Sequence, residues 1–270
     1  MEKHLDKNNL ELLSKFQSGE LDINQFYIDS YNGTKGNLGY YDCPKCKNRG
    51  EYAIKNESGE FTLTICDCMR IRRSNRLLHE SGIEKQLKIK TFDNFICQEP
   101  WQQYIFDKCM KFTQSPSQCL FVGGQSGAGK THLCTAVCGR FAKAGKTLKY
   151  VLWRDIVTKL QANIFNDDAY TKILDDLKNV DVLYIDDLFK LIPTKTESRV
   201  KELEIAFKLL NSRELSNKIT IISTECTMNE IKSLDEAIAG RIAKMSTREY
   251  IIQISRKSER NYRLKELEEV

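Results

Sequence analysis

The chain of 270 residues lacks several features that would define its class at once. No apolar run approaches the roughly 20 residues that a membrane-spanning helix needs, and the polar start MEKHLDKNNL has no apolar stretch typical of a secretory signal. Proline (4) and glycine (14) are scarce, and 41% of the residues are hydrophobic, which argues against a disordered or low-complexity chain. We therefore expect a soluble cytoplasmic protein of one or two domains, without a membrane partner.

Charge and cysteine content narrow the class further. The net charge of +5, from 42 Lys and Arg against 37 Asp and Glu, permits phosphate contacts without indicating a DNA-coating protein. The ten cysteines are expected to stay reduced, because nothing at the start of the chain indicates export. Four cysteines cluster in CPKC and CDC. The six others are expected to be small buried hydrophobic residues: Cys97, Cys109, Cys119, Cys134, Cys138 and Cys226.

Two cysteine pairs, Cys43-x2-Cys46 and Cys66-x-Cys68, flank a predicted β-hairpin. Between them, EYAIK and FTLTI alternate apolar and polar residues on either side of the turn-rich NESGE. Pairing of these strands would bring four thiolates together in the tetrahedral arrangement that Zn2+ prefers. The alternative is four chance cysteines in a strand-rich region. We predict a zinc site that is structural and not catalytic, in a segment too small to have its own core.

The first third of the chain is predicted to form a small separate domain. Apolar residues near helical spacing predict a helix over Glu2–Gln17. After the hairpin, MRIRRSNRLL predicts a basic helix that ends near Ser81, and a connection then runs from about Glu84 to Pro100. We expect a helical and zinc-ribbon-like domain over residues 1–88 and a second domain over residues 89–270.

From Cys119 onward, short apolar segments alternate with helical patterns. The predicted strands are CLFV, TLKYVLW, VDVLYI, ITIIS and YIIQI. This alternation predicts an α/β fold, in which helices cover both faces of a parallel sheet. The predicted helices include Thr131–Ala142, Asp155–Ile164, Ser198–Leu215 and Asp235–Ile242. The third carries an apolar stripe of Val200, Leu203, Phe207 and Leu210.

The strand CLFVG leads directly into GQSGAGKT, which matches the phosphate-binding loop (P-loop) pattern G-x-x-x-x-G-K-[ST]. Backbone N–H groups of such a loop curl around phosphates, and the N-terminus of the following helix adds its positive end. Lys130 would reach the β- and γ-phosphates of ATP, and the Thr131 hydroxyl would bind Mg2+. The residues expected to bind the nucleotide are Gly124, Gln125, Ser126, Gly127, Ala128, Gly129, Lys130, Thr131, His132 and Asp186.

A pair of acidic residues, Asp186 and Asp187, directly follows the predicted strand VDVLYI. Asp186 would hold Mg2+, and Asp187 would polarise the attacking water, because ligands of parallel sheets bind at the carboxyl ends of strands. Taken alone, such a pair after a strand is more often a helix cap or a turn. The strand ITIIS ends in Ser-Thr-Glu, so Thr224 would orient the water or sense the γ-phosphate if this strand lies beside the P-loop strand. The alternative is a capping cluster for a helix over residues 227–232.

Together, these motifs resemble the AAA+ ATPases of the DnaC/DnaI helicase-loader group, including phage-encoded members. The resemblance covers nearly the whole chain, through CPKC with CDC, MRIRRSNR, TFDNF, GGQSGAGKTHL, LYIDDLF, IISTE and EAIAGRI. The four-cysteine module ahead of the ATPase is similar to that of the DnaI-like branch. The resemblance implies an AAA+ P-loop NTPase fold and Mg2+-dependent ATP hydrolysis in the cytoplasm of a bacterial or phage-infected cell.

The resemblance also implies partners and further site residues. Arg241 takes the place of an arginine finger that reaches the γ-phosphate of a neighbouring subunit, which implies a homo-oligomeric ring or spiral. The N-terminal region would bind the replicative hexameric DNA helicase and the ATPase would touch single-stranded DNA, so the implied function is ATP-dependent helicase loading at replication initiation. Asp187 takes the position at which AAA+ ATPases in general more commonly have Glu. After YIIQI the tail is too short for a lid domain, which leaves Arg256 as a candidate sensor arginine.

Other functions fit parts of the sequence. A transposition helper of the IstB type shares the ATPase motifs, although the cysteine module and TFDNF argue against it. Some nucleotide kinases carry a four-cysteine zinc, but there the P-loop opens the chain. A module that binds ATP without hydrolysing it is a further alternative. Four arginines of the basic helix would contact DNA or an acidic helicase surface, or would form only a solvated face: Arg70, Arg72, Arg73 and Arg76.

Overall fold

A computed structural model of the chain describes Ser18, residues 22–190 and residues 197–264. These residues form two compact units, of which one ends at Arg76 and the other begins at Leu77. The helix predicted over Glu2–Gln17 lies outside the described residues. The domain boundary expected after residue 88 stays a prediction.

In the described part of the N-terminal unit, a helix packs on a β-hairpin, and the start of a second helix follows. Helix α1 (Ile23–Gly33) packs on the antiparallel strands β1 (Glu51–Lys55) and β2 (Phe61–Ile65). The Asn32 side chain joins the helix to the hairpin, because its amide group bonds both the N–H (2.8 Å) and the carbonyl (2.9 Å) of Ala53. The predicted hairpin is confirmed, and its two ends approach the cysteine pairs.

Two helices follow the hairpin along the chain. Helix α2 (Cys68–Glu80) is the predicted basic helix, and it ends where the sequence indicated. The predicted connection after it was wrong in part, because it contains a short helix, α3 (Glu84–Ile89). Six residues are fewer than two helical turns, so they carry too little apolar periodicity to be recognised.

A five-stranded parallel sheet forms the centre of the C-terminal unit. The strands are β3 (Cys119–Gly124), β4 (Leu148–Leu152), β5 (Val182–Asp186), β6 (Ile219–Ser223) and β7 (Ile251–Ile254). Their order is β4-β5-β6-β3-β7, and each neighbouring pair is parallel. All five strands match predicted segments, and the α/β fold class is confirmed. Because β6 lies between β5 and β3, the polar ends of these three strands meet at one edge of the sheet.

Helices cover both faces of this sheet. Successive residues of β5 enter opposite apolar clusters, with Val182 and Tyr184 in one cluster and Leu183 and Ile185 in the other. Among the described residues, no helix has the length and apolar character needed to span a bilayer. The helices are α4 (Pro100–Gln114), α5 (Lys130–Lys143), α6 (Trp153–Ala162), α7 (Asp167–Asn179), α8 (Glu197–Leu215), α9 (Met228–Leu234) and α10 (Glu236–Ser246).

The apolar stripe predicted on α8 lies largely on its inward side, since Leu210 is buried and Leu203 and Phe207 pack against the core. Val200, which belongs to the stripe, is 58% exposed. The buried face carries apolar residues together with three charged ones, Arg199, Glu202 and Arg213. Because charged residues rarely lie fully inside a protein, the sequence pattern did not indicate that this helix also buries charges.

Candidate nucleotide site and cysteine cluster

The four cysteines of the N-terminal unit are buried beside one another. Their sulfur atoms all lie within 4.8 Å of one another, with 3.7 Å between Cys43 and Cys66 and 3.4 Å between Cys46 and Cys68. A tetrahedral Zn2+ with four thiolates at about 2.3 Å places the sulfurs about 3.8 Å apart. The cluster therefore fits Zn2+, and the predicted convergence of the four cysteines is confirmed.

Hydrogen-bond donors face two of these sulfurs. The Gly50 amide donates to Cys46 Sγ (3.4 Å), and Arg72 Nε donates to Cys68 Sγ (3.5 Å). Burial opposes ionisation of Cys46, but the Gly50 amide and the neighbouring thiols lower the pKa of Cys46. Burial raises the pKa of Cys68 to about 12, and Arg72 partly offsets this rise. Both donors thus favour the thiolate form that a metal requires.

Arg72 supports the cysteine cluster and is not part of an exposed binding surface. It is 5% exposed, and its guanidinium donates to the carbonyls of Leu38 and Gly39 and to Oδ1 of Asn48 (2.7 Å). The expectation of a DNA or helicase contact therefore does not hold for this residue. The other arginines of the set are exposed on α2: Arg70, Arg73 and Arg76.

In the C-terminal unit, the P-loop joins β3 to α5 as the motif predicts. Gly124 has φ +105°, and a Cβ there would lie 2.0 Å from the carbonyl oxygen of Ile254. Gly129 has φ +82°, and a Cβ there would lie 2.7 Å from the Phe95 ring. Only glycine fits these two positions without strain. The loop between strand and helix consists of Gly124, Gln125, Ser126, Gly127, Ala128 and Gly129.

Lys130 is the first residue of α5, and it is only 7% exposed. Its Nζ donates to the carbonyls of Gly124 (2.9 Å) and Gln125 (2.6 Å), so the side chain folds back over the loop. Burial lowers the pKa of Lys130, and the carboxylates of Glu225 and Asp187 oppose this shift. A buried ammonium folded over a glycine-rich loop at a helix N-terminus is suited to bind the phosphates of a nucleotide.

The chain beyond β7 lies against the P-loop. The Gln125 amide donates to the carbonyl of Ile254 (3.1 Å), and its side-chain oxygen accepts from the Lys257 amide (3.0 Å). The Gly127 carbonyl accepts from the Tyr262 amide (3.2 Å). These bonds hold the P-loop against the chain after β7, and no local sequence pattern indicates them.

The segment TFDNF also contacts the P-loop, although its sequence shows no periodicity. His132 Nε2 lies 2.8 Å from the Thr91 carbonyl oxygen, and the His132 ring meets the Phe95 ring edge-on at 5.2 Å. Phe95 in turn lies against Gly129. The His132 side chain therefore holds TFDNF beside the loop, while its predicted role in nucleotide binding stays a prediction.

Asp186, at the end of β5, is 6% exposed and accepts three side-chain hydroxyl groups. Thr131 Oγ1 lies 3.3 Å from Oδ1, the Tyr150 hydroxyl lies 3.2 Å from Oδ2, and Ser223 Oγ donates to Oδ1. The Tyr184 hydroxyl lies 3.1 Å from Ser223 Oγ. Thr131 and Asp186 thus provide the oxygen ligands that suit Mg2+. Tyr150 and Ser223 were not predicted as partners of Asp186, because residues inside strands carry no spacing signal for such contacts.

Asp187 is the more open carboxylate, with 32% of its side chain exposed. Its Oδ2 lies 3.2 Å from Lys190 Nζ, which also pairs with Glu225 (3.0 Å). Burial opposes the charge on Lys190, but the hydrogen bonds to the two carboxylates raise the pKa of Lys190. Burial alone would raise the pKa of Glu225, whereas the bond from Lys190 lowers it. The charged forms of Lys190 and Glu225 are therefore favoured beside the P-loop lysine.

Thr224 follows β6, which pairs with the P-loop strand as the prediction required. The residue is fully buried, and its hydroxyl donates to the carbonyl of Leu188 (2.6 Å). The cap of α9 is formed by Thr227 with Glu230 and not by Thr224. Arg256 pairs with Glu230 (2.8 Å) at this edge of the sheet. The sensor roles of Thr224 and Arg256 stay predictions.

Arg241 lies on α10 and contacts α8. Its guanidinium donates to Asn211 Oδ1 (2.8 Å), lies 3.6 Å from a Glu214 oxygen and stacks 4.1 Å from the centre of the Phe207 ring. The side chain is 23% exposed. Its predicted role as an arginine finger concerns a second subunit and stays a prediction.

Residues 87–246, more than half of the chain, match the family described as the bacterial DnaA ATPase domain. The chain belongs to this family. The XkdC protein of the phage-like element PBSX of Bacillus subtilis (strain 168) is 33% identical over 240 residues, which are 83% of this chain and 86% of XkdC. The replicative helicase loader DnaC of Escherichia coli (strain K12) is 26% identical over 178 residues, 64% of this chain and 71% of DnaC.

The matched residues include the P-loop, Asp186, Asp187, Thr224 and Arg241. A crystal structure of the DnaC helicase loader shares the fold of this ATPase domain, with a TM-score of 0.54 and 22% identity over 64% of this chain and 99% of that one. The chain spans 48% of the DnaA initiator of Caldanaerobacter subterraneus, to which it is 30% identical. This protein is thus an AAA+ P-loop ATPase related to replication-initiation proteins. The resemblance inferred from its motifs is confirmed.

Proposed function

We propose that this chain is an ATP-dependent loader of a replicative hexameric DNA helicase onto single-stranded DNA, acting in the cytoplasm at replication initiation. The observation that carries the proposal is the similarity of its ATPase to the helicase loader DnaC. The separate four-cysteine unit ahead of the ATPase supports it, because a loader needs a second surface for its client.

ATP would bind with its phosphates in the P-loop, within reach of Lys130. Thr131 and Asp186 would hold Mg2+, which supplies charge neutralisation for the β- and γ-phosphates. Asp187 would accept a hydrogen bond from a water molecule and orient it toward the γ-phosphorus. The new P–O bond forms as the bond from the γ-phosphorus to the bridging oxygen breaks, and the products are ADP and phosphate. Asp187 is suited to this role, since its carboxylate is partly exposed and lies 3.2 Å from Lys190 Nζ.

Arg241 would complete the ATP site of a neighbouring copy. In the single chain its guanidinium is held by Asn211 and Glu214, and it retains partial exposure. Contact with a γ-phosphate would replace the contact with Glu214, so ATP would favour a ring or spiral of subunits. We expect Arg241→Ala to keep nucleotide binding and to lose the rise of turnover with protein concentration.

The N-terminal unit would bind the helicase. It exposes several large apolar side chains, among them Tyr27, Tyr40, Leu63 and Ile65. Exposed apolar groups of this kind are typical of protein interaction surfaces. The ATPase would contact single-stranded DNA, and the exposed arginines of α2 stay candidates for either partner.

One experiment tests this function directly. The full chain is mixed with the replicative helicase of its source, with and without ATP, and the mass of the complex is measured by mass photometry. A loader gives a complex with the helicase hexamer, and its ATP-dependent form is lost in Lys130→Ala. If no complex forms under either condition, whereas a transposase from the same source is bound, the chain is a transposition helper.

A further inference from the structure

The turn that follows Asp187 has an uncommon backbone conformation. Asp187 (φ +56°) and Phe189 (φ +60°) both lie in the left-handed region, which favours glycine. Residues with side chains stay in this region only where the surrounding structure fixes them, and such positions cluster at functional sites. Contacts with other parts of the fold must therefore hold this turn.

Backbone bonds hold the middle of the turn. Leu188 is fully buried; its amide donates to the Ser223 carbonyl (3.1 Å) and its carbonyl accepts from the Thr224 hydroxyl (2.6 Å). These bonds join the turn to β6. They leave the orientation of the next side chain, Phe189, to be set by other groups.

Phe189 is 2% exposed and inserts between two elements of the fold. Its ring meets the Trp153 ring edge-on at 6.0 Å, and the Arg199 guanidinium lies 5.6 Å from its centre. One carboxylate holds both neighbours, because Glu202 accepts from Trp153 Nε1 (2.5 Å) and from Arg199 Nη1 (2.7 Å). Glu202 is only 1% exposed.

A buried ion pair of this kind is a weak contributor to stability compared with apolar residues of the same volume. It is better explained by the geometry that it imposes. Trp153 starts α6, whereas Arg199 and Glu202 lie on α8. The bonds of Glu202 to Trp153 and Arg199 therefore fix both helices around Phe189, which follows β5. The P-loop and its lysine lie on other elements.

We propose that Glu202 is a positioning residue for Asp187. It holds Trp153 and Arg199 around Phe189, and the seated Phe189 fixes the turn that aims the Asp187 carboxylate at the attacking water. The inference rests on the role proposed above for Asp187 in ATP hydrolysis. We therefore expect ATP hydrolysis to require Glu202 and nucleotide binding to be independent of it.

The test is a double-mutant cycle read by single-turnover hydrolysis and by nucleotide affinity. Glu202→Gln keeps an oxygen for the Trp153 N–H but removes the negative charge. We expect it to slow hydrolysis about 10- to 100-fold, with the dissociation constant for ATP unchanged within about twofold. In an Asp187→Asn background the same substitution should have little further effect, because the carboxylate that it positions is gone.

Glu204→Gln, an exposed glutamate on the same helix, is the matched control and should change neither quantity. If Glu202→Gln does not fold, Trp153→Phe removes the indole N–H while keeping an aromatic ring, and it should slow hydrolysis with affinity retained. Equal slowing by Glu202→Gln in both backgrounds, or a parallel loss of ATP affinity, overturns the positioning role alone. If Asp187→Asn itself leaves hydrolysis unchanged, the proposed catalytic role of Asp187 fails, and the positioning role fails with it.

Discussion

Thr131 Oγ1 lies 3.3 Å from Asp186 Oδ1, which joins the first turn of α5 to the end of β5 across 55 positions of the chain. The strand order places these residues together, since β6 lies directly between β5 and the P-loop strand β3. The hydroxyl and the carboxylate are the oxygen ligands that a Mg2+ bound to ATP would take. The metal position of the proposed site is therefore set by the fold of the sheet.

Asp187→Asn should separate binding from hydrolysis. The amide keeps the shape of the side chain but cannot orient and polarise water as a carboxylate does. We expect turnover to fall by about 100-fold or more, while the affinity for ATP stays within about threefold of wild type. A coupled assay for ADP and a titration with a fluorescent nucleotide measure the two quantities. Asp168→Asn, on the surface of α7, is the control, and unaltered turnover in Asp187→Asn would exclude this carboxylate from catalysis.

Tyr150→Phe should weaken the use of Mg2+. The substitution removes the hydroxyl that lies 3.2 Å from Asp186 Oδ2, while the ring can keep its contact with Tyr184 at 5.2 Å. One hydrogen bond to a charged group contributes about 1.5–3 kcal/mol, and solvent recovers part of this. We expect the Mg2+ concentration for half-maximal turnover to rise about threefold to tenfold, with little change in thermal stability. An unchanged Mg2+ dependence would mean that Tyr150 does not orient Asp186.

Arg72→Ala and Arg73→Ala should differ sharply although the residues are adjacent. Arg72 is buried and bonds two backbone carbonyls, Asn48 and a cysteine sulfur, whereas Arg73 is exposed. Losing Arg72 leaves buried acceptors without a donor, which we expect to destabilise the N-terminal unit by about 2–4 kcal/mol. Urea unfolding followed by release of zinc to a chromogenic chelator measures the difference. Equal behaviour of the two variants would contradict the structural role of Arg72.

The cysteine cluster predicts one zinc ion per chain. Cys66→Ser should abolish zinc binding, measured by elemental analysis, and should unfold the N-terminal unit, because the metal replaces a core there. ATP binding by the C-terminal unit should persist in the same variant. Cys97→Ser serves as the control, since Cys97 lies outside the cluster. Retention of zinc in Cys66→Ser would show that these four thiols are not the ligand set.

The elements that sequence alone predicts best are those whose pattern is local. The P-loop follows a buried strand and opens a helix, and the strands β3 to β7 are short apolar runs, so both could be recognised from neighbouring residues. The cysteine pairs were equally readable, because the hairpin between them has a clear alternation.

The parts that were missed depend on contacts between distant segments. TFDNF lies beside Gly129 through Phe95, and Tyr150 reaches Asp186 only because β4 pairs with β5. The buried charges of α8 were also missed; Arg213, for example, donates to the backbone carbonyls of Leu177 and Val180. No local pattern distinguishes such a buried charge from a solvated one.

The most direct test of the whole account is equilibrium binding of ATP in the presence of Mg2+, compared between the wild-type chain and Lys130→Ala. The account predicts saturable binding to the wild type and a loss of affinity of about 100-fold or more when the buried ammonium is removed. A wild-type chain that takes up no adenine nucleotide at millimolar concentration, or a Lys130→Ala variant that binds ATP as tightly as wild type, would contradict it.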